Sequence, residues 1–211
     1  MKVYCFSGLG SDERVFEFLK LDSFFEIVTI PWIKPLSKES IEDYSARISS
    51  TISSNESFFI LGVSFGGIVA QEVAKHKNAT AIIAISSIKE RSQIPLGLKL
   101  TPNFIFSLPS FLFKLSPIIA NYVFGARNKL LLKQILKDTQ GSFVKWALFA
   151  LKNWQSKEVV DSFYISGGAD RLLKPFQGAE ILDGGGHFMI VDKAEELNEL
   201  INIHFFNSLK K

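Results

Sequence analysis

The chain has 211 residues, room for one domain or for one domain with an insertion at roughly 100 to 200 residues per domain, and enough to bury a core without disulfides or a metal. Hydrophobic residues make up 47% and charged residues 21%, which excludes a disordered or collagen-like chain. The formal charge of +3, from 24 Lys and Arg against 21 Asp and Glu, is too mild as a total to point to any partner.

Short apolar runs alternate with longer amphipathic ones, the pattern of an α/β protein with a mostly parallel sheet of about six strands. Strands are expected at residues 2–6, 25–30, 58–62, 80–86, 162–166 and 179–182, and helices at 11–19, 40–53, 65–76 and 193–206. Ser40 and Asp192 stand where N-caps of the second and last helices belong. The first strand holds the single cysteine, Cys5, which excludes an intramolecular disulfide and suits a buried thiol in a reducing, cytoplasmic setting. Charged Asp12, Glu13 and Arg14 follow the short apolar start, so no secretory signal is expected. The longest uncharged runs, 57–71 and 100–113, fall short of the roughly 18 apolar residues of a spanning helix, and the second contains Pro102 and Pro109.

The alternation stops between Lys89 and Lys157, far more chain than the dozen or so residues a parallel crossover needs. Pro95, Pro102, Pro109 and Pro117 punctuate its first half, and helix-like stretches follow near 127–137 and 143–153. The expected organisation is a core of residues 1–88 and 158–211 interrupted by a helical cap at 89–157, of the kind that forms a lid over a site.

Residues 58–67 carry the most chemical information: a fully apolar strand run, then Gly62-Val63-Ser64-Phe65-Gly66, then a helix. A sharp strand-to-helix turn pushes one side chain out at the top of the sheet and needs small neighbours. It also places the hydroxyl at a helix N-terminus, where free amides can hold a developing negative charge. The alternative for Ser64 is a plain helix cap.

On this motif in this context, the sequence resembles the α/β-hydrolase superfamily. The resemblance implies a chain order of nucleophile, acid and histidine, met here by Ser64, by Asp170 in Ser166-Gly167-Gly168-Ala169-Asp170, and by His187 in Asp183-Gly184-Gly185-Gly186-His187. A serine nucleophile needs a base, and the base an orienting carboxylate. Of the other histidines, His76 closes a helix beside Lys75 and Lys77, and His204 lies within the last amphipathic helix. Asp183, four residues before His187, is ranked a capping residue rather than the acid. The oxyanion hole implied by the resemblance uses the backbone N–H groups of Phe65 and of Leu9, the latter in Ser7-Gly8-Leu9-Gly10, where Ser7 replaces the family's common histidine. A dinucleotide-binding turn at the same glycines is disfavoured, since Glu13 stands where the third glycine belongs. The sequence departs from the family in opening directly on the strand that feeds this loop, without two leading antiparallel strands. Only sixteen residues separate Asp170 from His187, so the helix usual there is shortened or lost.

The mild total charge is a near-cancellation. Residues 89–157 hold 11 Lys and Arg against Glu90 and Asp138, a net of +9, and the remainder nets −6. Lys129, Lys133 and Lys137 recur every four residues and so fall in one helical stripe, with Leu130 and Leu131 on other faces for packing. Ten aromatic residues between Phe104 and Trp154 are expected mainly to pack the cap onto the core, some walling a pocket.

The expected activity is that of a serine hydrolase, cleaving a carboxylic ester or thioester through an acyl-enzyme, with no metal and no organic cofactor. The apolar cap interior and basic exterior suit a small-molecule ester or thioester with an apolar acyl part and an anionic carrier, acyl carrier protein or coenzyme A. Capped bacterial carboxylesterases acting on carrier-linked esters, including the pimeloyl carrier-protein methyl ester type, resemble this arrangement. The alternatives are a carbon–carbon bond hydrolase on the same triad, a non-catalytic binding protein of the same fold, or a cap that binds a membrane surface; nucleic acid is not expected.

Overall fold

The computed structural model describes residues 1–53, 56–155 and 162–210. Six parallel strands form one sheet in the order β2-β1-β3-β4-β5-β6. Strand β1 (Lys2–Phe6) pairs with β2 (Glu26–Thr29) on one side and, on the other, with β3 (Phe58–Val63). The first long helix, α1 (Ile41–Ser49), crosses between β2 and β3, and Ser40 caps it by accepting a hydrogen bond from the Asp43 N–H. Helix α2 (Phe65–Ala74) follows β3 directly and leads to β4 (Ala81–Ile85).

The long connection after β4 is helical. It runs through α3 (Leu96–Leu100), 3-10 turns at Asn103–Ser107 and Ser110–Phe113, α4 (Pro117–Phe124), α5 (Lys129–Asp138) and α6 (Gly141–Asn153). Pro95, Pro102 and Pro109 each precede a helical turn and Pro117 opens one, because a fixed φ and a missing N–H cost nothing at a helix start. The expected end of this segment at Lys157 lies outside the described residues. Strands β5 (Phe163–Gly167) and β6 (Glu180–Leu182) complete the sheet, with no helix between them. The short α7 (Met189–Asp192) and α8 (Ala194–Ser208) close the chain.

Alternation along the strands divides the core in two. Val3, Cys5, Phe59, Leu61, Ile83 and Ile85 face a cluster built with Leu197, Ile201 and Phe205 of α8. Tyr4, Phe6, Phe58, Ile60 and Ile82 face the opposite cluster, built with α1 and α2. The β4–β5 segment joins both, through Leu132 and Ile135 of α5 in the first and Phe143, Ala147 and Trp154 of α6 in the second. It therefore bridges the C-terminal edge of the sheet, where the ends of β1, β3 and β5 lie. The Trp154 indole donates to the buried Glu72 of α2, which also takes Lys75 Nζ at 2.8 Å, so the far end of the segment is anchored by a paired buried charge.

Four expectations are corrected. Residues 11–19 form only a 3-10 turn, Glu13–Phe16, because Asp12 closes it on the Arg14 N–H and the chain beyond is drawn to α8, where Asn198 accepts from the Lys20 N–H. Asp192 does not cap α8; Lys193 holds that position, and the Asp192 carboxylate instead accepts from the Arg127 and Asn128 N–H groups at the approach to α5. Leu130 does not pack but stands 77% exposed, since Leu132 and Ile135 take the buried face of α5. Phe104, Phe111 and Tyr122 are exposed rather than packed on the core, while Phe143 and Trp154 are buried.

Candidate active site

Ser64 sits between β3 and α2 with φ 53° and ψ −120°, a conformation that side-chain-bearing residues rarely adopt. Two hydrogen bonds hold it there: its N–H donates to Ile85 O at 2.8 Å, and its carbonyl accepts from Ser87 Oγ at 2.8 Å. The flanking glycines are sterically required. A Cβ on Gly62 would lie 2.3 Å from Gly66 O, and one on Gly66 would lie 2.2 Å from Ser7 O. The turn thus closes against the end of β1 as well as against its own helix.

Asp170 and His187 emerge from adjacent loops that are bonded to each other. Gly168 N–H donates to Leu182 O at 2.9 Å and Ala169 N–H to Gly185 O at 2.9 Å. His187 Nε2 lies 2.9 Å from Ser64 Oγ, and His187 Nδ1 lies 2.8 Å from Asp170 Oδ2. The other carboxylate oxygen, Asp170 Oδ1, accepts from the Leu172 and Leu173 N–H groups at 2.8 and 2.9 Å. Both side chains are buried, so this fully accepting carboxylate fixes the proton on Nδ1 and leaves Nε2 to face the serine. Asp183 is exposed in its turn, and its carboxylate makes no hydrogen bond among the described residues; the expected capping bond is not formed.

The loop after β1 passes beside Ser64: a Cβ on Gly8 would lie 3.6 Å from Ser64 Cβ. Ser7 Oγ donates to Ser11 O at 2.9 Å and Ser11 Oγ to Gly8 O at 2.9 Å, making the turn tight. Among the described residues neither the Leu9 nor the Phe65 N–H donates to a protein acceptor. Both residues border the same apolar cavity of about 370 Å³ as Ser64 and His187. Ile68, Leu98, Leu148 and Leu172 supply much of its wall. A larger cleft of about 980 Å³ lies between residues 30–38 and α6; it meets the apolar cavity at Gly10 and Ser11 but does not reach Ser64 or His187.

Three contributors to this geometry went unnoticed in the sequence. Ser87 holds the Ser64 carbonyl, Thr139 Oγ1 bonds to the Gly10 carbonyl at the head of the glycine loop, and the Phe124 ring packs 5.4 Å from the His187 ring. All three lie between β4 and β5, a segment that thus touches both sides of the Ser64 site. Lone Ser, Thr and Phe residues carry no spacing signal, so only the folded arrangement reveals them. The remaining sequence candidates lie elsewhere: Lys129, Lys133 and Lys137 are exposed on α5, His76 follows the end of α2, and His204 stacks on Phe163 at 4.1 Å. Burial raises the Cys5 thiol well above its ordinary pKa. No group of three or more His, Cys, Asp or Glu among the described residues is placed to hold a metal.

No family model matches the sequence, and no curated protein does. Solved structures do match. A MenH from S. aureus superposes with a TM-score of 0.73 at 15% identity, over 99% of this chain and 94% of the other. A lipase-esterase related protein from Clostridium acetobutylicum gives 0.68 at 14% identity, over 95% and 92%. The RedJ thioesterase of the prodiginine biosynthetic pathway in Streptomyces coelicolor gives 0.65 at 12% identity, over 96% and 89%. These likenesses, with the six-stranded parallel sheet, establish the fold.

Proposed function

We propose that this chain, which has the α/β-hydrolase fold, is a serine-dependent hydrolase of carboxylic esters or thioesters. The observation that carries the reading is the hydrogen-bonded line from Ser64 Oγ through His187 to a carboxylate held by two further amides, at the mouth of an apolar cavity. Ser64 Oγ attacks the carbonyl carbon while His187 Nε2 takes its proton. His187 then returns the proton to the leaving alcohol or thiol. Asp170 stays ionised and stabilises the imidazolium. The Leu9 and Phe65 N–H groups receive the developing oxyanion, each worth about 3 kcal/mol of transition-state stabilisation. Water, activated by the same histidine, attacks the acyl-enzyme and releases the acid and Ser64. No step in this sequence calls for a metal or an organic cofactor.

The cavity walls favour an apolar acyl group, and the larger cleft beyond Gly10 and Ser11 offers space for the leaving group. The exposed lysines Lys129, Lys133 and Lys137 favour an anionic carrier at the substrate's remote end, acyl carrier protein or coenzyme A. The thioesterase among the matching structures accords with such a substrate. A carbon–carbon bond hydrolase would use the same three side chains, and a non-catalytic binding protein would leave them idle. Hydrolysis of short and long p-nitrophenyl esters, acyl-coenzyme A and acyl-carrier-protein esters separates these readings. Turnover of medium or long acyl chains that vanishes in Ser64→Ala supports the proposal; no turnover of any ester or thioester by the folded protein opposes it.

A further inference from the structure

Nineteen large apolar side chains stand exposed among the described residues, and eleven of them fall between Leu96 and Leu130. The local geometry explains the concentration. In the two 3-10 turns, Phe106 and Phe113 turn inward, their rings 6.0 Å apart with Phe106 also 5.3 Å from Phe149 of α6, and this leaves Phe104 and Phe111 outward. Helix α4 is anchored by the fully buried Ala120, yet Ile118 is 82% exposed and Tyr122 70%. Leu100, at the end of α3, is 70% exposed, and Phe111 is 68%. Scattered apolar residues on a surface need no explanation, whereas a concentration in one short segment does.

The charges of the same stretch point one way. No Asp or Glu lies between Glu90 and Asp138, while Lys99, Lys114, Arg127 and the α5 lysines do. Lys99 and Lys114 lie among the exposed apolar residues themselves. Apolar side chains interspersed with cations and free of acids are what a bilayer surface selects: the apolar groups enter the acyl boundary and the cations meet anionic headgroups. A second copy of this chain would set two basic surfaces against each other. No helix among the described residues is long and apolar enough to cross a membrane, which fits an element that lies on the surface. The inner side of the segment matters too, because Pro95, Leu98 and Phe124 line the apolar cavity beside Ser64.

We infer that residues 96–130 form a docking surface for an anionic lipid bilayer. The docking does not depend on Ser64 chemistry. Only its corollary, that an acyl substrate passes from the bilayer into the cavity, rests on the function proposed above. The test is co-sedimentation of the full chain, carrying Ser64→Ala so that nothing turns over, with vesicles of phosphatidylcholine alone or with about one third phosphatidylglycerol. The protein should bind the anionic vesicles and weaken as salt rises. Phe111→Ser with Ile118→Ser should lower partitioning about a hundredfold, near tenfold for each large apolar side chain lost. Lys99→Glu with Lys114→Glu should remove the preference for anionic lipid, roughly fivefold for each unit of charge changed and two units per substitution. Phe111, Lys114 and Ile118 are exposed and Lys99 is half-buried with its Nζ on the Ser92 carbonyl, so an unchanged thermal midpoint is required of each variant before its binding is compared. Failure to bind anionic vesicles overturns the inference, as does equal binding by the apolar double variant. A stable dimer in light scattering that the Phe111 and Ile118 changes dissolve would assign the face to a second copy, and capture of an acidic carrier protein that the same changes abolish would assign it to a protein; either result also overturns it. Labelling of wild-type Ser64 by a fluorophosphonate is unaffected by any of these outcomes, which keeps the two proposals separable.

Discussion

The turn that carries Ser64 and the segment between β4 and β5 answer to different constraints. At the turn, one added methyl group on Gly62 or Gly66 meets backbone atoms closer than 2.5 Å, and the Ser64 N–H and carbonyl are both bonded within the protein. Among the described residues of the segment, eleven large apolar side chains face outward, and Lys145 and Lys152 of α6 hold the 3-10 stretch by donating to the Leu108 and Thr101 carbonyls. The first region is specified by what fits inside the protein. The second is specified as much by what meets it from outside. The segment reaches the site at three places, Ser87 on the Ser64 carbonyl, Thr139 on the Gly10 carbonyl and Phe124 against His187, so the outward-facing region also helps to set the inner geometry.

Changes within the turn should have the largest effects. Ser64→Ala and His187→Ala should each lower kcat for an ester by about three to six orders of magnitude with little change in thermal midpoint, and Asp170→Asn by about four, by favouring the wrong imidazole tautomer. Gly66→Ala should cost stability itself, on the order of 4 kcal/mol or more in denaturant unfolding, because its Cβ meets the fixed carbonyls of Phe6 and Ser7. A folded, fully active Gly66→Ala protein would erase the contrast between the two regions.

At the junction, Thr139→Val removes the bond to Gly10 while keeping the shape. It should lower kcat about tenfold and stability by about 1 kcal/mol, with the ester KM held. Equal loss of activity and folded fraction would make Thr139 structural only. On the segment's exterior, Lys129→Glu, Lys133→Glu and Lys137→Glu together should leave p-nitrophenyl ester kinetics unchanged. They should raise KM for an acyl-carrier-protein or coenzyme A substrate, an effect that salt also produces. Unchanged kinetics with both substrate classes would remove the carrier from the proposal.

The smallest effect is expected at Glu39. Arg47 beside Glu39 holds that carboxyl below its ordinary pKa, and the Leu36 N–H adds to the shift. A depressed folded pKa means that the pair stabilises the protein fully above the ordinary glutamate range and loses that contribution as pH falls below it. Glu39→Gln should therefore narrow the stability difference between pH 7 and pH 4 in urea unfolding; an unchanged difference would remove the pair from the account.

The same contrast explains what could be read from the sequence. The four inner strands are legible because buried parallel strands are near-continuous apolar runs, as in Phe58–Val63, while the edge strands β2 and β6, half-buried or exposed, show only shorter apolar stretches. The glycines around Ser64, Asp170 and His187 are visible in the chain because tight turns force them, and the family resemblance is what singles out those three residues as a candidate site. The 3-10 turn at Glu13–Phe16 was read as a longer helix because its amphipathic pattern continues to Leu19, while the contact that ends it, Asn198 with the Lys20 N–H, comes from the other end of the chain. Exposure in the β4–β5 segment was not legible at all. A Phe that packs, such as Phe106, and one that faces solvent, such as Phe104, have the same letter two positions apart.

The account rests on Ser64 being a nucleophile activated by His187. Intact-mass analysis after brief exposure to a fluorophosphonate tests this directly: the wild type should gain one adduct, mapped to Ser64 by peptide sequencing, while Ser64→Ala and His187→Ala should remain unmodified. A folded wild type that takes up no adduct, or one that carries it on another residue, would contradict the account.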